Sequence, residues 1–147
     1  MQRAVSSFNN TWKLINKVVE ELLRYLTISQ AGATTRRALE DVELNGMTIK
    51  AGESVTVSLA AANRDPERFD HPDTLDLSRP NLNRHLAFGQ GVHMCLGQHV
   101  ARLELQIGIP RLIQRFPSLR LAIPIEKVPV YSGDYFDYGV HELLVAW

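Results

Sequence analysis

Apolar residues recur every three or four positions near the start of the chain, which predicts an amphipathic helix from about Val5 to Tyr25. The same spacing returns from Leu96 to Phe116 and predicts a second helix. Pro110 should kink or divide that helix, because proline has no backbone N–H to donate and its ring clashes with the preceding turn.

Between these helices, short apolar runs predict β-structure. Asn45-Gly46 separates the runs at 42–44 and 47–49, and this dipeptide is a strong signal for a hairpin turn. Alternating apolar residues at 55–59 predict a further strand, which a helical turn at 60–63 would close. Residues 119–147 predict short strands with turns at Gly133 and Gly139. The chain is therefore expected to be mainly α with small β-sheets, an α+β protein.

The stretch from Arg64 to Arg84 shows neither periodicity. It contains Pro66, Pro72 and Pro80 among many Asp, Asn and Arg residues. Loops this long inside a compact domain are usually functional or packed by their own side chains. We therefore expect a long structured loop here.

Composition narrows the possible functions. A chain of 147 residues with 45% apolar content is expected to form a single unit, 1–147, around one core. Its net charge of zero gives no reason to expect a nucleic-acid partner. A lone cysteine excludes an internal disulfide and indicates a reducing compartment. With no apolar run of about 18 residues and no secretion signal, we expect a cytoplasmic, soluble protein that does not enter a membrane.

The sharpest chemical feature is the loop from Phe88 to Gly97, which delivers the lone Cys95 to the start of the second helix. A helix N-terminus supplies positive potential and unpaired N–H groups, which favour a thiolate. Gly89 and Gly91 allow the close approach of a flat cofactor to the backbone. Two alternatives remain open at this point: Cys95 as a small buried hydrophobe, or as a nucleophile with His93 as its base.

This loop resembles the haem-binding signature F-G-x-G-x-H-x-C-x-G of the cytochrome P-450 family. Every fixed position is matched, by Phe88, Gly89, Gly91, His93, Cys95 and Gly97. The resemblance implies haem b (iron protoporphyrin IX) as cofactor and Cys95 as the axial ligand of its iron. It also implies that His93 contacts a haem propionate and that Phe88 shields the sulfur. A thiolate ligand of this kind favours O–O cleavage.

A second resemblance lies on the first helix, where Glu21 and Arg24 match the family's E-x-x-R. Taken alone, they are an ordinary surface ion pair at i,i+3, and Glu20 is an alternative partner for Arg24 at i,i+4. In the family, the pair is a buried structural lock that a further arginine joins. Pro66-Glu67-Arg68-Phe69 spells one version of that element, but the register of 72–79 is that of bacterial-type members, so Arg79 rather than Arg68 is predicted as the third member.

Residues 36–42 resemble the family element R-x-A-x-E-D-V, whose first arginine reaches a haem propionate. That residue is Arg36, and its alternative is an ordinary solvated arginine. Residues 29–34 would then border the substrate pocket, with the turn at 131–138 as a weaker candidate for the opposite wall. Residues 31–35 also match A-G-x-x-T, the family's oxygen-activating helix motif. We do not assign that role to them, because they follow E-x-x-R in the chain and lack the acidic residue of the motif.

The resemblance is strongest over 19–147 and corresponds to roughly the last third of a family member. The elements implied are the E-x-x-R helix, a β-hairpin region, a meander loop, the cysteine loop with its following helix, and C-terminal strands. The implied activity is a monooxygenase that inserts one oxygen atom from dioxygen into a small organic substrate, with a ferredoxin or flavoprotein as electron donor. The alternative is a truncated haem-binding or non-catalytic fragment, whose partner would be the missing N-terminal part of the fold.

Overall fold

The computed structural model describes residues 2–29, 35–80, 82–131 and 137–147, with side chains from Leu14 onward. In chain order, the helices and strands are α1 (Gln2–Leu26), β1 (Arg36–Arg37), β2 (Val42–Leu44), β3 (Met47–Ile49), β4 (Ser54–Val55), α2 (Leu59–Ala62), α3 (Gln98–Arg115), β5 (Arg120–Leu121) and β6 (Val145–Ala146). Single turns of 3₁₀ helix lie at Leu82–Arg84, Gly91–His93 and Ile125–Lys127. The expectation of a mainly α protein with small sheets is confirmed.

The two long helices, α1 and α3, contact each other. Helix α1 extends the predicted range by a few residues at its start, and α3 begins at Gln98 with Gly97 as its N-cap. The predicted division of α3 at Pro110 is wrong, because the helix continues through this residue to Arg115. A proline inside a helix removes one N–H donor, and here that loss does not end the helix. No helix in the described ranges is both long enough and apolar enough to cross a bilayer.

The predicted hairpin is present, with β2 and β3 antiparallel and Val42 opposite Ile49. Asn45 and Gly46 have φ angles of 49° and 79°, the left-handed conformations that a two-residue hairpin turn requires. The strand predicted at 55–59 is wrong beyond Val55. There Ser58 accepts a hydrogen bond from the Ala61 N–H at 3.1 Å and starts α2 instead.

The remaining strands join distant parts of the chain. Strand β1 pairs with β4, so that Arg36 lies opposite Val55. Strand β5 pairs with β6, and Val130 bridges to Val140, which confirms short strands near the end of the chain. The turn predicted at Gly133 lies outside the described residues.

Residues 64–80 form a meander loop held by its own contacts, as expected for a structured loop. The Asp65 carbonyl accepts the Phe69 N–H at 2.9 Å, and Arg64 Nη1 lies 2.6 Å from Asp73 Oδ1. Phe69 is only 4% exposed. The loop is thus folded against the rest of the chain without helix or strand.

The described interior is unusually rich in polar groups. Its buried apolar side chains are Val19, Leu23, Leu59, Phe69 and Leu82, and its buried polar side chains are Glu21, Arg24, Thr27, Asn63, Arg79 and His85. Charged residues are almost never fully buried unless they are paired. The centre of this structure is therefore organised by ion pairs and hydrogen bonds as much as by apolar packing.

Candidate functional site

The cysteine loop, residues 88–95, turns back on itself ahead of α3. The Cys95 N–H donates to the Phe88 carbonyl at 2.9 Å, which joins the two ends of the loop. Between them, Gly89 and Gly91 have φ angles of 72° and 82°, a conformation that other residues adopt only with strain. Cys95 itself is exposed and stands three residues before α3, at the positive end of the helix dipole.

The Cys95 side chain opens into a cavity of about 500 Å³. The cavity is lined by residues 86–90 with His93 and Cys95, and by Ser29, Arg36, Val57 and Leu59. Apolar groups thus surround much of the space, and two cationic or potentially cationic side chains stand among them. A mostly apolar cleft with a few polar groups is the usual form of a cofactor or ligand site.

Arg36 and His93 are the two polar side chains that the family resemblance predicted to contact a cofactor carboxylate. Both are exposed and both line the same cavity as Cys95. Pairing of β1 with β4 fixes the Arg36 backbone, and its Nη1 donates to the Thr35 carbonyl at 3.0 Å. The rest of its guanidinium remains available for a carboxylate.

Gly97 plays a different part from the loop glycines. Its φ of −78° is open to any residue, so conformation does not require glycine there. A Cβ added at Gly97 would lie 3.8 Å from Cys95 Sγ, in ordinary contact with the sulfur. Glycine therefore keeps the space beside the thiol clear.

Three of the predicted residues meet away from the cavity, in a buried ion network. Arg24 Nε and Nη2 each lie 2.8 Å from a carboxylate oxygen of Glu21, and Arg79 Nε lies 3.3 Å from Glu21 Oε1. Glu21 and Arg24 are completely buried, and Arg79 is 5% exposed. Arg68 is exposed instead, so it is Arg79 that the structure places beside Glu21.

Backbone carbonyls satisfy the remaining guanidinium donors of this network. Arg24 donates to the carbonyls of Asn63, Pro72 and Thr74, and Arg79 donates to those of Asp70, His71 and Thr74. Burial alone would raise the pKa of Glu21. Hydrogen bonds from Arg24, the Asp76 N–H and Arg79 outweigh it and lower that pKa. The network ties α1 to the meander loop.

Glu20 does not pair with Arg24, the alternative that helix spacing left open. It reaches α3, where Arg102 Nε and Nη2 lie 2.7 and 3.0 Å from its oxygens, and His85 Nε2 lies 3.0 Å from Oε2. Sequence reasoning missed Arg102 and His85. No local pattern marked either residue, because His85 lies three positions before the matched loop and Arg102 lies five positions after it.

Asn63 is a second residue that sequence reasoning missed. It is completely buried, its Nδ2 donates to Thr27 Oγ1 at 2.9 Å, and its Oδ1 accepts the Leu86 N–H at 2.6 Å. Its carbonyl accepts Arg24 Nη1. One side chain therefore links the end of α1 to the segment that enters the cysteine loop.

Part of the predicted substrate border falls outside the described residues, namely 30–34 and 132–136. The described ends of these two segments meet, because Ser29 bridges to Asp137 and the Tyr138 N–H donates to the Ile28 carbonyl at 2.6 Å. Since Ser29 lines the cavity, this contact brings the C-terminal segment near it.

Comparisons with known proteins agree on one family. The family model described as Cytochrome P-450 matches residues 9–122. Cytochrome P-450-SU2 of Streptomyces griseolus is 54% identical over 91% of this chain and 32% of its own length. Nocardicin C N-oxygenase of Nocardia uniformis subsp. tsuyamanensis is 50% identical over 92% of this chain and 33% of its own length. The crystal structure of cytochrome P-450 MoxA from Nonomuraea recticatena is 50% identical, with a TM-score of 0.87 over 100% of this chain and 36% of that one.

The chain spans about a third of the length of the curated relatives it matches. Over that third, the fold is the same as theirs, since solved relatives superpose on nearly the whole chain at TM-scores of 0.82 to 0.87. The architecture described above is a partial form of that fold.

Proposed function

Because the chain belongs to the cytochrome P-450 family, we propose that it supplies the haem-ligating part of a haem-thiolate monooxygenase. Such an oxidoreductase inserts one oxygen atom from dioxygen into an organic substrate. The observation that carries the proposal is the shared cavity, which the Cys95 thiol lines together with the Arg36 guanidinium and the His93 imidazole.

The residues around the cavity fit haem b. A flat macrocycle needs open backbone beside the ligand, and a Cβ added at Gly89 or Gly91 would meet no atom within 4 Å. Val57, Leu59 and Leu86 offer apolar surface for its faces. Two propionates need cationic or N–H partners, which Arg36 and His93 provide at the rim.

The chemistry that haem supplies in such proteins is the activation of dioxygen, which a thiolate ligand favours by donating electron density. The chain itself contributes the ligand, its orientation and its surroundings. The hydrogen bond from the Cys95 N–H to the Phe88 carbonyl fixes the backbone that carries the sulfur. Phe88 is half-buried and lines the same cavity, which suits a role in keeping water from the sulfur.

The buried network has a structural role in this proposal. Glu21, Arg24 and Arg79 hold α1 against the meander loop, and Asn63 continues the connection to Leu86 at the entrance of the cysteine loop. The buried network therefore stabilises the elements that carry the site, and its three residues do not line the cavity.

Substrate and redox partner belong to the whole protein and are inferred from the family. A ferredoxin or flavoprotein would donate electrons, and a small organic molecule would be oxidised. One relative is named as an N-oxygenase acting on nocardicin C and another as a vitamin D3 dihydroxylase, so substrates differ widely among similar proteins. We infer a cytoplasmic location from the single cysteine.

A second candidate function is haem binding without turnover, as a fragment that needs further polypeptide. The apolar face of α3 favours it. Leu96 is fully exposed, and Val100, Leu103 and Ile107, spaced along the same helix face, are 50–60% exposed. Large contiguous apolar surfaces normally have a partner. The part of the family fold that this chain does not span is the partner that this second function requires.

Haem titration with matched variants tests the proposal. Arg36→Met should weaken haem binding about three- to thirtyfold by removing one charge-assisted hydrogen bond to a propionate. Arg37→Met is the control, because Arg37 is adjacent in sequence but does not line the cavity. Equal affinities for both variants would refute the assigned role of Arg36. Incorporation of one atom from isotopically labelled dioxygen into a product, measured with an electron donor and a substrate panel, then separates a monooxygenase from a haem-binding fragment.

A further inference from the structure

Arg102 contacts the cysteine loop directly at its first residue and reaches its far end through Gln98. Its guanidinium carbon lies 4.7 Å from the centre of the Phe88 ring, at the first residue of the loop. Its Nη1 donates to Gln98 Oε1 at 2.9 Å, and Gln98 Nε2 in turn donates to Met94 Sδ at 2.8 Å. Met94 immediately precedes Cys95. One guanidinium thus contacts the first residue of the loop directly and the residue before Cys95 through Gln98.

Arg102 is itself held by the first long helix. Both carboxylate oxygens of Glu20 accept from it, and His85 holds the same carboxylate from the other side. Burial alone would raise the pKa of Glu20, but the hydrogen bonds and charges of His85 and Arg102 lower it to about 2. Glu20 is therefore ionised near neutral pH, where it pairs with Arg102.

The remaining contacts of His85 also involve the cysteine loop and the segment before it. Its Nδ1 accepts the Ala87 N–H at 3.2 Å, and its ring centre lies 6.4 Å from that of Phe88. His85 is buried, with its side chain only 1% exposed. The segment that enters the cysteine loop is thus fixed to the same carboxylate that fixes Arg102.

We propose that Arg102, anchored by Glu20, is a positioning residue that sets the conformation of the cysteine loop and so the direction of the Cys95 thiol. The inference rests on the proposed function in one respect, namely that the proposed function makes this thiol a haem ligand. The geometry requires arginine: Nε and Nη2 bind Glu20, Nη1 binds Gln98, and the planar face lies against Phe88. A lysine would keep the charge beside Glu20 but could not make these contacts together.

Amide hydrogen exchange of the full 147-residue chain tests the inference without haem. The readouts are the exchange rates of the loop amides at Gly89, Met94 and Cys95, which donate within the loop region. In Arg102→Lys, these rates should rise about three- to tenfold, while the amides of α1 and the β2–β3 hairpin keep their protection. Arg111→Lys is the matched control on α3, since Arg111 is exposed and forms no ion pair with a described side chain.

If Arg102 acted only as a charge that joins two helices, the loop amides of Arg102→Lys would exchange as slowly as those of the unmodified chain. That result would overturn the inference. A uniform rise in exchange across the chain would also overturn it. Should Arg102 variants fail to fold, Gln98→Ala provides the test, because it removes only the branch to Met94. Loop exchange unchanged in Gln98→Ala would then count against the proposal.

A haem readout separates this inference from the proposed function. In the reduced carbon monoxide complex, Arg102→Lys should show a smaller fraction of the red-shifted Soret band of thiolate ligation than the unmodified chain. If the unmodified chain gives no such band, the proposed function fails while the exchange result still decides the role of Arg102. If the band is present and identical in Arg102→Lys, the inference fails and the proposed function stands.

Discussion

Arg24 Nε and Nη2 lie 2.8 Å from the two carboxylate oxygens of Glu21, and both side chains are completely withdrawn from water. An i,i+3 pair on a surface helix is worth only a few tenths of a kcal/mol. Burial changes that value, because removing one partner would leave the other charge without compensation in the interior.

We therefore expect Glu21→Gln to destabilise the chain by about 3–5 kcal/mol, since it leaves the Arg24 and Arg79 guanidinium groups without their anion. Urea unfolding followed by circular dichroism measures the change. Lys50→Met is the control, because it breaks an exposed pair with Asp41 and should cost less than about 1 kcal/mol. Similar losses for the two variants would show that the buried pair has no special role.

The choice between two arginines can be tested directly. Arg79→Met should cost about 2–4 kcal/mol, because it removes a buried cation that Glu21 and three backbone carbonyls bind. Arg68→Met, at an exposed position, should change the free energy of unfolding by less than about 0.5 kcal/mol. The reverse order would mean that Arg68 completes the network.

Two glycines should respond to alanine in opposite directions. Gly91→Ala should destabilise the chain by about 1–2 kcal/mol, because φ at Gly91 is 82° and an added Cβ strains that conformation. Gly108→Ala should stabilise it by about 0.5–1 kcal/mol, because Gly108 lies inside α3 and a Cβ there meets no atom within 4 Å. Thermal unfolding of both variants checks the signs. Stabilisation by Gly91→Ala would contradict the strained loop geometry.

Glu20 predicts a dependence of stability on pH. Folding lowers the pKa of its carboxyl from an ordinary value of 4.5 to about 2, so the ionised form stabilises the folded state above about pH 4.5. That contribution, about 1–2 kcal/mol, is lost as pH falls towards 2. Glu20→Gln should be less stable than the parent at pH 7, and the difference should vanish near pH 2.

Urea unfolding at several pH values measures this difference. Glu104→Gln is the control, since Glu104 is an exposed residue of α3. A constant gap between parent and Glu20→Gln from pH 7 to pH 2 would show that the Glu20 carboxylate is not the titrating group.

Local features of this structure could be predicted from patterns in the sequence, and the long-range polar contacts outside the family motifs could not. The hairpin at Asn45-Gly46 and the two long helices follow from turn chemistry and periodicity over a few residues. The choice of Arg79 over Arg68 came from the register of a resemblance. By contrast, Glu20 and Arg102 are 82 residues apart, and no local pattern marks two charged residues as partners.

The errors have local physical causes as well. Val57 and Leu59 continue an alternating pattern, but Ser58 between them caps a helix and ends the extended segment. Asn63 was missed because a single buried amide leaves no periodic signal, although it joins α1 to the cysteine loop. Sequence patterns thus predicted the elements, the resemblance predicted the contact of Glu21 with Arg24 and Arg79, and the other side-chain contacts between elements required the structure.

The absorption spectrum of the reduced, carbon monoxide-bound chain, recorded after addition of haem, tests whether Cys95 is the ligand of the iron. We predict the red-shifted Soret band of a thiolate ligand in the parent chain and in Arg37→Met, and its loss in Cys95→Ala. A parent spectrum of free or histidine-bound haem, or a red-shifted band that persists in Cys95→Ala, would contradict the assignment of Cys95 as the haem ligand.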